Sequence, residues 1–284
     1  MSSVMTLPLT MLAPIIWGTT YLVTSEWLPE DYPITIAMLR ALPAGVLILI
    51  LLRQWPPKNQ WLKVFILGGL NFTVFWICLF IAAYRLPGGI AATLGALQPL
   101  MVIGLAYGLF NNNIKPLSIV SAVMGVAGVA LLVLKSTADL DGIGVVAALV
   151  GAASMALGTV LSKQWRSNSS LLAFTGWQLT AGGLLLLPLA LYLEPNFPVL
   201  NMKSVSGLLW LGLVGALLSY ILWFNGVTKL NPVQVSTLGF LSPVTAIVLG
   251  WLVLGQNLST FQLIGVVIIF ISILVTSMTE EKPV

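Results

Sequence analysis

One fully charged side chain stands well inside an apolar stretch of this 284-residue sequence: Arg40, in the run 33–53. At the centre of a bilayer an arginine costs roughly 2.5–3.5 kcal/mol on insertion scales, so it needs a partner or water. A guanidinium grips planar anions with two parallel hydrogen bonds, which makes Arg40 a candidate site for a substrate carboxylate or phosphate. The competing reading is structural. Arg40 lies about 10 Å along its helix by the helical rise, close enough to snorkel outward to Glu26, Glu30 or Asp31.

Neutral polar side chains occupy comparable depths: Asn71, Gln98, Gln178, Ser219, Thr237 and Ser242. Burying an unpaired amide costs roughly 2–7 kcal/mol depending on the reference state. Asn71, Gln98 and Gln178 should therefore face a cavity or another helix, whereas Ser and Thr more often serve as interhelical glue. Trp17, Trp76, Trp177 and Trp223 also lie within apolar runs, away from the interfaces where Trp is usually enriched. Together with Tyr21 and Tyr220 they are candidates to line a cavity that stacks on flat or apolar solutes, or else to fill helix packing. Trp55, Trp61 and Trp210 read as interfacial anchors.

The missing chemistry narrows the function. Histidine is absent, Cys78 is alone, and all eight acids (Glu26, Glu30, Asp31, Asp139, Asp141, Glu194, Glu280, Glu281) fall in loops or the tail. No disulfide, metal site or cofactor is expected. A membrane-embedded enzyme would need a catalytic carboxylate, histidine or metal cluster near the membrane. It finds only scattered acids and one cysteine here, so no enzyme is expected. A proton-driven exporter normally needs a titratable group within the membrane. Its absence points to uniport or exchange driven by the substrate gradient.

The elements that must position these residues are membrane helices. Only 7% of the chain is charged and 58% is hydrophobic, against about 25% charged for a soluble domain. About 20 apolar residues cross the roughly 30 Å hydrocarbon core. Windows of that length place ten spans, near 5–24, 33–53, 62–84, 87–109, 115–134, 143–162, 170–193, 205–227, 232–254 and 259–278. The first continues past Trp17 without a basic leader or cleavage site, so it reads as a span and not as a signal peptide. The expected class is an all-α integral membrane protein.

Loop charge gives the orientation. With the N-terminus inside, the cytoplasmic loops hold Arg53, Lys58, Lys63, Lys115, Lys163, Arg166, Lys229 and Lys282, against Arg85, Lys135 and Lys203 outside. The excess favours both termini in the cytoplasm. The same basic residues form no patch, so the pI near 9.3 gives no reason to expect a nucleic acid.

The stretch LPGGIAATLGALQP at 86–99 returns as LNPVQVSTLGFLSP at 230–243, an offset of 144 with six of fourteen positions identical. Thr93, Leu94, Gly95 and Pro99 reappear as Thr237, Leu238, Gly239 and Pro243, and Trp76 falls on Tyr220. Spans one and two map onto six and seven with an offset of 138, which carries Ala44-Gly45 onto Gly182-Gly183 and Arg40 onto Gln178. Two copies of five spans, residues 1–136 and 137–284, must lie upside down with respect to each other. Inverted repeats around a midplane site are the usual framework for alternating access. Pro99 and Pro243, one per half, are expected to kink the fourth and ninth spans as gates or as static bends.

Ile16-Trp17-Gly18-Thr19-Thr20-Tyr21 in the first span, Met38-Leu39-Arg40-Ala41 in the second, and Gln98-Pro99 and Ser242-Pro243 in the fourth and ninth resemble the EamA-type carriers of the drug/metabolite transporter superfamily. The resemblance covers the whole chain. The opening run from Ala13 to Tyr21 is similar to the PecM-like branch, associated with pigment or metabolite export. The resemblance implies a ten-helix carrier of the bacterial inner membrane that moves a small organic solute outward. It further implies a cavity lined by spans one to four and six to nine, and a homodimer through spans five and ten. An importer or a broad-specificity drug efflux pump is the alternative.

Overall fold

The computed structural model of this chain describes residues 3–86, 88–110, 115–133, 141–166, 169–255 and 257–279. Every regular element among them is a helix. The physical reason is that hydrocarbon offers no partner for a backbone N–H or C=O, and a helix satisfies both within one segment. Eight stretches are long and apolar enough to cross a membrane: Met5–Thr24, Pro33–Leu52, Lys58–Ala82, Gly142–Trp165, Leu171–Leu193, Met202–Lys229, Pro232–Leu254 and Thr260–Thr279. Two shorter apolar helices, Thr93–Leu109 and Pro116–Leu132, cover the regions expected to hold the fourth and fifth spans. The outward faces carry Leu, Ile, Val and Phe, with Leu51, Leu62, Val267 and Leu274 all more than half exposed. Water would not tolerate such a belt, and lipid does. The expected boundary between halves, at 136/137, lies outside the described residues.

The longest helices are α1 (Ser3–Trp27), α2 (Pro33–Leu52), α8 (Gly142–Trp165), α9 (Leu171–Leu193) and α14 (Thr260–Thr279). Their ends are closed by side chains where the sequence supplies an acceptor. Asp141 accepts from the Gly144 N–H at 2.7 Å, and Ser170 from the Ala173 N–H at 3.2 Å. Ser259 and Gln262 cap reciprocally at the start of α14. The start of α2 is capped from afar: Glu194 accepts from the Ile34 N–H at 2.9 Å and the Thr35 N–H at 2.7 Å.

Two helices change pitch midway. The third apolar stretch runs as α3 (Trp61–Gly68), a π turn over Gly69–Val74, and α4 (Phe75–Arg85). The eighth runs as α10 (Met202–Leu209), a π stretch over Trp210–Leu218, and α11 (Ser219–Lys229). Shifted by 144, the first π turn falls on 213–218, inside the second.

Two other helices break. α5 (Gly88–Gly95) ends before α6 (Gln98–Phe110), and α12 (Pro232–Leu238) before α13 (Leu241–Leu254). Tight turns join them, with Leu97 N–H donating to Leu94 O at 3.1 Å and Phe240 N–H to Thr237 O at 3.2 Å. The expected proline kinks are therefore displaced: Pro99 and Pro243 sit in the first turn of the helix that follows. A helix N-terminus has N–H groups without intrahelical partners, so a residue lacking one loses nothing there.

α2 and α9 are antiparallel neighbours. Trp177 donates to the Gln54 carbonyl at 2.7 Å, tying the start of α9 to the end of α2, while Glu194 ties the opposite ends. At their crossing Gly45 packs on Thr180 and Gly183 on Leu42, each without room for a Cβ. The remaining paired helix, α7 (Pro116–Val133), lies along α14. There Ser272 donates to the Ser121 carbonyl at 2.6 Å, Ser121 and Thr276 share a hydrogen bond at 2.7 Å, and Gly128 meets Gly265. Small residues let these backbones approach closely.

Candidate functional site

The α4 and α11 segments, following their π turns, aim large rings into the centre of the bundle. Trp76 and Tyr220 are both buried there, with Phe72 from the first π turn. Phe72 lies 4.6 Å from Tyr220 and 5.3 Å from Trp76 between ring centroids. α1 adds Trp17, 5.0 Å from Tyr220 and 4.9 Å from Trp223. Tilted and edge contacts of this kind favour aromatic pairs beyond simple burial.

Arg40 enters this aromatic cluster from α2. Its Nη2 donates to the Gly215 carbonyl at 2.6 Å, and its guanidinium carbon stands 5.1 Å from the Trp76 ring centroid. Of the two placements open to it, the side chain takes the inward one and is 9% exposed. A cation over an indole face is attracted by the ring quadrupole, more strongly when water is excluded. Gly215 lies in the second π stretch. The Ser219 hydroxyl also donates to its carbonyl, at 2.7 Å, and accepts the Trp17 indole N–H at 2.8 Å. Trp17, Ser219, Gly215 and Arg40 thus form one hydrogen-bonded chain through three helices.

A second polar group lies toward the opposite end of the α2–α9 pair. Asn71 donates to the Gln178 side-chain carbonyl at 2.8 Å and to the Ser162 hydroxyl at 3.1 Å. All three side chains are fully buried. Each group needs a partner in so dry a place, and Gly158 makes room by leaving no Cβ against Asn71. A polar atom remains open at each group: among the described residues the Trp223 indole N–H beside Trp17, and the Asn71 Oδ1, have no hydrogen-bond partner.

The other candidates disperse. Ser242 lies where α1 crosses α13, and a Cβ on Gly18 would come within 2.7 Å of its carbonyl, which accounts for glycine after Trp17. Gln98 opens α6 beside buried Pro99, and Pro243 is half-buried in α13. Trp177 donates to the Gln54 carbonyl and stands outside the ring contacts of Trp17, Phe72, Trp76 and Tyr220. The side chain of Tyr21 lies outside the described residues. A shallow trough of about 590 Å³ between α4 and α8, lined by Cys78, Ile81, Asp141, Val146 and Val150, is apolar and opens outward.

The structure adds residues that composition and depth did not single out: Phe72, Ser162 and the Gly215 carbonyl. Phe72 lies four residues before Trp76 and so shares its side of the helix, but the repeat sets it opposite Ala216 and gives no signal for it. The carbonyl was not, because a π turn frees backbone acceptors without a side-chain signature.

A family model described as EamA-like transporter family matches residues 4–134 and 142–278. Protein PecM of Dickeya dadantii is 46% identical over 265 residues, covering 93% of this chain and 89% of that protein. The WAT1-related protein At3g02690, chloroplastic, of Arabidopsis thaliana is 30% identical over 93% of this chain and 67% of its own length. The uncharacterized inner membrane transporter YedA of Escherichia coli K12 is 29% identical over 92% of this chain and 87% of its own. One crystal structure aligns with a TM-score of 0.82 over 98% of each chain at 20% identity, a likeness of fold alone.

Proposed function

This chain belongs to the EamA-like transporter family, and from that premise we propose that it exports a small organic metabolite across a bacterial inner membrane. It is a multi-pass membrane transporter; the substrate class, the direction and the mechanism are the proposal. The mechanism is alternating access between two inverted five-helix halves, 1–136 and 137–284, with both termini cytoplasmic. No cofactor takes part. Spans five and ten, which pair within the chain as α7 and α14, leave apolar outer faces for a homodimer.

The observation that carries the reading is the buried Arg40 guanidinium joined to rings from α1, α4 and α11. A charge at that depth is costly, and functional sites are where such costs are met. Rings and guanidinium together suit a flat solute bearing an acceptor, such as an amino acid derivative or a pigment. The run from Ala13 to Tyr21, whose resemblance to the PecM-like branch implies export, supports this direction, and Protein PecM itself is 46% identical to this chain. A pump for cationic drugs would require an acid within the membrane. Among the described residues every acid lies outside the membrane-crossing stretches, which favours gradient-driven movement of a neutral or anionic metabolite.

The test is a comparison of metabolites in medium and cytoplasm between cells that overexpress the chain and cells that lack it. A compound richer outside in the first and richer inside in the second supports export and names the substrate. The reverse distribution would make the chain an importer.

A further inference from the structure

Two buried contacts, far apart in sequence, stand in a fixed relation to one another. In the first, Arg40 of α2 meets Gly215 of the second π stretch at 2.6 Å. In the second, Gln178 of α9 meets Asn71 of the first π turn at 2.8 Å. The offset of 138 carries Arg40 onto Gln178, and the offset of 144 carries Asn71 onto Gly215. Each contact is therefore the image of the other. Arg40 and Gln178 are each the eighth residue of their helices, α2 starting at Pro33 and α9 at Leu171.

Neighbouring contacts obey the same exchange. Gly45 on Thr180 maps to Gly183 on Leu42; Gly68 by the Gln178 carbonyl maps to Gly212 by the Arg40 carbonyl; Gly128 on Gly265 maps to Ser272 on Ser121. Because α2 and α9 are antiparallel, the two contacts fall on opposite sides of the Gly45–Thr180 crossing. With Thr180 level with Gly45, Gln178 lies level with about residue 47, so the two contacts stand about 10 Å apart along the axis by the helical rise.

Each contact also joins the two halves. Arg40 belongs to the first and Gly215 to the second; Gln178 belongs to the second and Asn71 to the first. Opening either end of the bundle separates the partners at that end and leaves the other pair together. Both are made at once in this structure.

We infer that Arg40–Gly215 and Gln178–Asn71, with Ser162, are paired latches that release in turn, one for each end of the path. The inference rests on the alternating-access reading above and gives it two named, separable parts. The latches are chemically unequal. One is a charged donor on a backbone carbonyl, which a side-chain substitution cannot remove from the Gly215 side. The other is a network of neutral side chains.

Two reporter thiols in a Cys78→Ala background test this. Ala37→Cys lies one turn before Arg40 toward Pro33, and Ala173→Cys lies five residues before Gln178 toward Leu171; both alanines are buried. Labelling by a membrane-impermeant maleimide is measured from each side of vesicles. Asn71→Ala should raise labelling at position 173 by roughly three- to tenfold, the effect of one net hydrogen bond on a two-state equilibrium, and lower it at position 37. Arg40→Met should do the reverse. Ser162→Ala, which removes a single hydroxyl, carries the Asn71 prediction at smaller size and guards against a folding defect. Labelling that rises at both positions together, or at neither, overturns the latches. Reciprocal labelling in a chain that moves no solute would leave them standing and remove the transport reading instead.

Discussion

Glu194 gathers two backbone N–H groups, of Ile34 and Thr35, onto its two oxygens. The carboxylate does for α2 what no residue next to Pro33 does, since Tyr32 makes no side-chain cap. Losing a cap costs typically about 1 kcal/mol. Glu194→Ala should lower the unfolding temperature in detergent by a few degrees, with Glu194→Gln in between. Asp141, just outside its membrane-crossing helix, behaves differently. Its carboxyl is held below the ordinary aspartate range, chiefly by the Gly144 N–H, with partial loss of hydration opposing and Arg85 at 3.3 Å assisting. A depressed carboxyl stabilises the fold above its ordinary value near about 4 and ceases to do so as pH falls through the lowered value. The stability gap between wild type and Asp141→Asn should therefore be present at neutral pH and close in acid. At this scale sequence reading located charges and amides well, because an Arg or Asn in an apolar run is conspicuous. It could not aim them. Trp177 has the depth of a cavity residue, yet its indole N–H turns to the Gln54 carbonyl, a direction fixed by the loop and not by the helix that carries it.

Helix existence follows from hydropathy, and the described helices fall where apolar runs of the right length lie. Helix irregularity does not follow so directly. Pro99 and Pro243 marked the right neighbourhood, but the chain breaks before them, at 96–97 and 239–240, and places the prolines in the first turns of α6 and α13. The π turns at Gly69–Val74 and Trp210–Leu218 had no sequence signal at all. They depend on which carbonyl finds a partner across the bundle, as Leu70 O does from Ser154 at 2.8 Å and Gly215 O from Arg40. The α7–α14 pair is set by small residues in contact. A Cβ on Gly265 would stand 2.7 Å from the Gly128 carbonyl, which is backbone and cannot yield cheaply. Gly265→Val should separate these helices and cost about 1–3 kcal/mol, the usual range for overpacking. Thermal unfolding in detergent would show it, and an undiminished unfolding temperature would mean that the pair is looser than it looks.

Among the described residues, the membrane-crossing helices carry an apolar outer surface, and their buried polar side chains meet chiefly beside α2 and α9 and along the α7–α14 seam. Composition alone required the first property. The second follows from the cost of an unpaired amide or guanidinium in hydrocarbon. The substrate was not legible, because ring stacking and a single guanidinium admit many flat solutes.

Transport itself is tested most directly with the purified chain in liposomes loaded with a bacterial metabolite extract and an internal pH dye. Mass spectrometry of what leaves, compared with protein-free vesicles, is the measurement. The account predicts that one or a few small organic compounds escape only when the chain is present, without a matching proton flux, and that Arg40→Gln slows the loss. Identical losses with and without the chain would contradict it.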